Sequence, residues 1–291
     1  MRRFAVTALG PSQPTTPPGW RPGARSGFGP FVSAVEFELE DGSRQLWHSR
    51  QHRKCDLVAA EQGMSRVPAR TWWIAILFSI GAACFAVGSA QTWVDFVSDE
   101  GALRVFFIGS IFFTAAAYLS FEEVSGTPSE LGDGVRREVR LFSFRPVRIE
   151  WWATAIQLLG TLLFNLSTFD AMRGDLSARQ SNELVWWPDV AGSVCFLIAS
   201  YLAWAEVCNS AGRLRIGDVT WWIVLINLVG SVLFAMSAVG AEVVASSGAV
   251  RNADLVAVTT FGGGISFLVG AVLLIPEARR VRVPRAATTD G

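Results

Sequence analysis

Trp72-Trp73-Ile-Ala-Ile-Leu-Phe-Ser-Ile-Gly81-Ala-Ala-Cys-Phe85 opens the first long apolar stretch of this chain, and its frame returns twice. Trp151-Trp152 is followed by Gly160 and Phe164, and Trp221-Trp222 by Gly230 and Phe234, at identical spacing. After each copy comes a second apolar stretch with its own signature. Gly109-Ser110, Phe113, Tyr118-Leu119 and Glu123 align with Gly192-Ser193, Phe196, Tyr201-Leu202 and Glu206. Gly263-Gly264, Phe267, Val272-Leu273 and Glu277 make the third copy, and in all three the glutamate follows fourteen residues after the glycine. Self-similarity of this kind marks tandem structural units.

The uncharged runs are 71–94, 105–121, 151–169, 190–205, 219–241 and 255–276, in a chain of 291 residues that is 51% hydrophobic and 17% charged. A helix needs roughly 20 apolar residues to cross a bilayer. Four runs meet this outright, 105–121 is marginal, and 190–205 is short but is preceded by Leu184, Val185, Trp186 and Trp187, which complete it from the interface. The expectation is an all-α membrane protein with six transmembrane helices, arranged as three tandem antiparallel hairpins over 71–124, 148–208 and 218–278.

A formal net charge of zero conceals an uneven distribution. Ten basic residues lie in 1–70; five arginines (Arg136, Arg137, Arg140, Arg145, Arg148) separate helices two and three, and Arg213 and Arg215 separate four and five. Arg279, Arg280, Arg282 and Arg285 follow the last helix, while the alternate side has only Arg104, Arg173, Arg179 and Arg251. The positive-inside rule then puts both termini in the cytoplasm of a multi-pass cell-membrane protein. No apolar core of a signal peptide stands in 1–30. Cys55, Cys84, Cys195 and Cys208 show no disulfide or CxxC spacing and read as free thiols.

Residues 1–30, with Pro11, Pro14, Pro17, Pro18, Pro22 and Pro30, read as a disordered tail. Residues 31–70 form a basic cytoplasmic segment. Within it Val35, Phe37 and Leu39 alternate with glutamates ahead of Asp41-Gly42, which spells a short β-hairpin. His48, His52 and Cys55 would share a helix face, a three-ligand arrangement with metal-binding chemistry. The reading preferred is a basic juxtamembrane stretch meeting anionic lipid headgroups, each cation contributing about 1 kcal/mol. Residues 279–291 form a basic tail. No cofactor, metal or nucleic acid is expected; the lipid bilayer is the expected partner, with anionic headgroups or an unidentified protein meeting the N-terminal segment.

Helix rise sets depth. Gly81 lies roughly 12 Å beyond Trp73 and Phe85 roughly 18 Å; counted back from Glu123, Phe113 is roughly 15 Å deep and Gly109 roughly 21 Å. In an antiparallel pair Phe85 therefore meets Gly109, and Phe113 meets Gly81, with Gly160, Phe164, Gly192, Phe196, Gly230, Phe234, Gly263 and Phe267 repeating the contact. Lipid offers no hydrophobic drive between helices, so large-against-small packing has to supply it.

Glu123, Glu206 and Glu277 end the even helices, at the level where Arg70, Arg148 and Arg215 precede the odd ones. An ion pair closing each hairpin is the preferred reading, and a ring of three carboxylates around a central path is the other. Gln157 and Asn227 share a slot held by Phe78 in the first unit; with Asn165 they line a path or bond between helices. The tryptophan pairs read as an interfacial belt. Asp170, Asp175, Glu183 and Asp189 read as solvated acids of the outer loops.

Ile80-Gly81 and Phe107-Ile108-Gly109-Ser110-Ile111-Phe112-Phe113, with their counterparts, resemble the YrhK-like family, a small bacterial two-helix membrane domain. The resemblance covers about 72–124, 151–207 and 221–278, in three tandem copies where a single hairpin is usual. It implies membrane location and brings no activity or catalytic residue. No HExxH, phosphate-binding loop or nucleophile elbow appears. The expectation is a non-enzymatic structural or interaction protein, with a channel or small-solute transporter as the alternative.

Overall fold

Six helices carry the repeated units in the computed structural model, which describes residues 19–50, 69–94, 98–126, 148–208 and 216–280. They are α1 (Ala69–Ala90), α2 (Asp99–Ser125), α3 (Ile149–Ala171), α4 (Ala178–Cys208), α5 (Val219–Gly240) and α6 (Ala253–Arg280). Their starts obey local chemistry. Ser98 accepts from the Gly101 amide and Asp218 from the Thr220 amide, satisfying donors that a helix start leaves open. Ser177 and Gln180 cap each other reciprocally ahead of α4.

That cap settles how the short run 190–205 becomes a full helix. α4 begins at Ala178 and reaches its apolar part through a π-helical turn, Asn182–Trp186. Pro188 has no amide to offer the carbonyl four residues back, and the Trp187 amide bonds instead to Asn182, five residues back.

Five helices, all but α3, are long and apolar enough to cross a membrane. α3 has 23 residues, but Gln157, Asn165 and its serine and threonines lower its hydropathy, so the sixth expected span falls below the other five in composition. Its outward face is no less apolar: Leu159, Leu162, Leu166 and Phe169 are exposed on α3, as Ile108 and Ile111 are on α2 and Val229, Val232 and Met236 on α5. Large aliphatic side chains outside, with glycine, serine and phenylalanine inside, is the reverse of a water-soluble core and fits lipid contact.

The helices close into a ring. α1 packs on α2, α2 on α3, α3 on α4, α4 on α5, α5 on α6 and α6 back on α1. Hydroxyls bridge the seams between units. Ser110 meets Thr168 at 3.0 Å and Asn165 donates to Thr114 at 2.8 Å between α2 and α3; Ser200 and Ser231 meet at 2.7 Å between α4 and α5. At the closing seam Gly264 lies against the α1 backbone at Ala82 and Ala86, where any side chain would collide.

Residues 19–50 lie at one end of the ring. β1 (Arg21–Phe28), β2 (Phe31–Glu38) and β3 (Arg44–His48) form an antiparallel sheet in that order. Val35, Phe37 and Trp47 bury its apolar face with Trp20 and Val32. Gly42 takes φ 79°, which the β2–β3 turn needs, and the Ser43 side chain and amide hold the Asp41 carboxyl below its usual range. β1 corrects the reading of 1–30 as a tail throughout. Its Pro22, Gly23 and Gly27 suit an edge strand with two register shifts, and Phe28 anchors it edge-on to Tyr201 of α4.

Candidate functional site

The repeated glycines and phenylalanines meet across each consecutive helix pair. A side chain at Gly81 would strike the Phe113 ring, and one at Gly109 would meet Cys84 and Phe85. Gly160 faces Phe196, Gly192 faces Phe164, Gly230 faces Phe267 and Gly263 faces Phe234. Without a side chain on either helix the backbones come close enough for each ring to pass over the partner and reach the axis.

What the repeat does not reveal is where the rings go next. Phe85, Phe164 and Phe234, from the odd helices, form one triangle, with centroid separations of 6.3, 5.9 and 5.5 Å. Phe113, Phe196 and Phe267, from the even helices, form a second, at 6.3, 5.7 and 5.8 Å. The triangles stack through 85–113, 164–196 and 234–267 contacts of 5.6, 5.2 and 5.2 Å. Six rings thus make a trigonal prism across the centre of the bundle, and all six are buried. Offset and edge-on contacts of this kind contribute about 0.5–1.5 kcal/mol each beyond burial.

The prism divides the axis into two cavities, each lined by all six helices. The sheet-end cavity, about 140 Å³, reaches Phe267 from below. Phe78, Gln157 and Asn227, the equivalent slot of the three units, all line it, together with Ser200, Glu123 and Glu206. Asn227 fits because Gly270 opposite has no side chain. The loop-end cavity, about 190 Å³, has Phe85, Phe164 and Phe234 as its floor. Asn165 is not on the axis; its amide bonds α3 to α2.

The repeated glutamates are all buried: Glu123, Glu206 and Glu277 keep 5–7% of their surface. Their partners differ from the hairpin-closing pairs expected. Arg70 bonds Glu122 at 2.9 Å rather than its neighbour Glu123. Arg148 bonds Glu150, two residues on, at 2.7 Å rather than Glu206. Arg215 lies outside the described residues. Helix azimuth explains the change: Glu122 lies one residue, or about 100°, round α2 from Glu123, and this brings it to Arg70 while Glu123 turns to the axis.

Glu277 is met by Arg50, from the residues just after β3, at 2.7 Å. Next to it the Ser49 hydroxyl donates to Glu150 at 2.6 Å. These two bonds seat the sheet on the ring and put Arg50 in the wall of the sheet-end cavity. Neither residue belongs to the repeat, so no periodic signal in the chain singles them out. Glu123 and Glu206 are likewise engaged.

Asp189 corrects the reading of the outer acids as uniformly solvated. It belongs to α4, not a loop, and lines the loop-end cavity. Asp170, Asp175 and Glu183 do sit on the outside, paired with Arg173 and Arg179. Of the three candidate metal ligands only His48 is described, with His52 and Cys55 outside; among the described residues no group of three such side chains is placed to hold a metal. Trp73, Trp93, Trp152, Trp187 and Trp222 are exposed at the two ends, whereas Trp221 turns inward.

Such an arrangement holds charge at one end, excludes water at its centre and offers a second chamber beyond. No family model, curated protein or solved structure matches the chain, so the resemblance to the YrhK-like domain rests on the repeated residues themselves.

Proposed function

We propose that this chain is a non-enzymatic six-span membrane protein, three YrhK-like hairpins in a ring, that passes a small solute along its axis through the phenylalanine prism. The observation carrying this reading is that both cavities and the prism are coaxial and each draws on all six helices. A purely structural bundle has no need of a polar chamber on its axis, whereas hydrophobic constrictions in a path gate by excluding water. A cavity of about 140 Å³ has room for several waters. The apolar outer face of α3 supports counting it as the sixth span. The charge distribution supports a cytoplasmic sheet end, where Glu123 and Glu206 line the cavity.

The test is cation flux into proteoliposomes under a potential. We compare wild type, the prism variant Phe164→Ala/Phe196→Ala, and Glu123→Gln/Glu206→Gln, whose side chains line the sheet-end cavity. The reading expects flux to rise at least tenfold in the prism variant and to fall in the glutamine variant. Folded protein with no flux in wild type or prism variant would sink it and return the structural role, with the sheet as the interacting part.

A further inference from the structure

Around the axis the three units agree in kind, with glycine, phenylalanine and glutamate at equivalent places. They part company at one position. Phe106, Asp189 and Thr260 each stand three residues before the glycine of the even helix, and all three line the loop-end cavity. The one acid among them stands three residues after the π-helical turn of α4, a distortion common at functional sites.

Asp189 is half-buried, opens onto this cavity, and makes no hydrogen bond or ion pair among the described residues. Its neighbours at that end behave otherwise: Glu100, Asp170, Glu183 and Glu242 each pair with an arginine. A carboxylate partly withdrawn from water among aromatic rings and without a partner is costly, and a cation arriving from outside would offset that cost. The walls limit which cation. Phe85, Phe106, Phe164 and Phe234 line the cavity; the hydroxyls of Ser237 and Thr260 bond each other at 2.6 Å and Thr168 donates to the Phe164 carbonyl, so Ser167 adds the one further hydroxyl of the wall. Calcium or magnesium would need a shell of six or more oxygens that this wall lacks. Aromatic faces and one carboxylate instead suit an alkylated ammonium, attracted by the ring quadrupoles and by the charge.

We propose that the loop-end cavity is a binding site for a small organic ammonium cation, with Asp189 as counter-charge and the phenylalanine rings as its wall. The inference deepens the axial-path reading by naming the class of solute, and rests on it only for the statement that the bound cation is cargo.

Equilibrium dialysis of labelled tetramethylammonium against the full-length protein in detergent tests it. One saturable site is expected, weakened at least tenfold by Asp189→Asn and severalfold by Phe234→Leu, and unchanged by Glu183→Gln. Tert-butanol, uncharged and of similar shape, should compete poorly. The proposal is overturned by the absence of saturable binding, by equal affinity in wild type and Asp189→Asn, or by tert-butanol competing as well as the cation. Binding without flux in proteoliposomes would remove the path and keep the site. Flux without binding would remove the site and keep the path.

Discussion

Arg50 grips Glu277 with two nitrogens, Nε at 2.7 Å from Oε1 and Nη2 at 3.3 Å from Oε2, across 227 residues of chain. It joins the start of the chain to the end of its last described helix, and both side chains are largely withdrawn from water. With Ser49 on Glu150 it is what seats the sheet on the ring.

Breaking such a pair from one side leaves a buried charge without its partner, at a cost of about 3 kcal/mol or more. Glu277→Gln should therefore lower the thermal midpoint and speed tryptic release of the N-terminal sheet from the detergent-solubilised protein. Arg50→Met combined with Glu277→Leu should recover most of the midpoint. A double variant no better than the single one would show that the charge pair is not the seat.

Phe196 keeps 2% of its surface and touches rings from all three units. Phe196→Ala should cost about 3 kcal/mol through lost contacts and the cavity left behind. Adding Phe164→Ala, whose ring is 5.2 Å away, should cost less than a second full increment, because the first cavity has already removed that contact. Leu166→Ala, on the exposed face of α3, should leave the midpoint where it was. Chemical denaturation in mixed micelles measures all three.

Close approach makes two glycines irreplaceable for different reasons. Gly264→Val should open the α6–α1 seam, since the neighbour is backbone and cannot turn aside; the expected readout is loss of monodisperse elution. Gly270→Ala should destabilise by about 1–3 kcal/mol through overpacking on the Asn227 amide. Asn227→Ala in the same chain should relieve it, because the obstacle is a side chain.

Asn182 clasps Val243 with both ends of its amide, donating to the carbonyl and accepting from the N–H, each at 2.8 Å. Trp186 adds a bond to the Ala238 carbonyl at 2.8 Å. Together they tie the π-helical turn to the last turn of α5 and to the α5–α6 loop. Asn182→Ala should speed hydrogen exchange at the Val243 amide at least tenfold, with the overall midpoint changed by no more than the equivalent of about 1 kcal/mol, the scale of a net hydrogen bond.

Much of the bundle was legible from Trp72 to Glu277 because its rules are local. Spacing along a helix converts directly into depth, so the glycine eight residues and the phenylalanine twelve residues beyond each tryptophan pair could be matched across an antiparallel partner without knowing the fold. The β2–β3 hairpin was legible for the same reason, through alternation and Asp41-Gly42. β1 was not, because glycine and proline signal a tail and an edge strand alike. Arg70 was assigned to Glu123 by depth and bonds Glu122, since depth fixes a level and leaves the direction around the helix open.

By itself, then, the sequence determined three repeated pairs of apolar helices, their glycine–phenylalanine register and the level of each buried glutamate. Those follow from rise per residue and composition. Only the tertiary structure decided what depends on azimuth and on contacts between units. It turned six phenylalanines onto one axis, brought Arg50 to Glu277, and placed Asp189 in a cavity rather than a solvated loop. A repeat specifies each unit's own geometry; how the units face one another rests on contacts at Ser110, Ser193 and Gly264, positions the period marks but whose partners in the neighbouring unit it does not name.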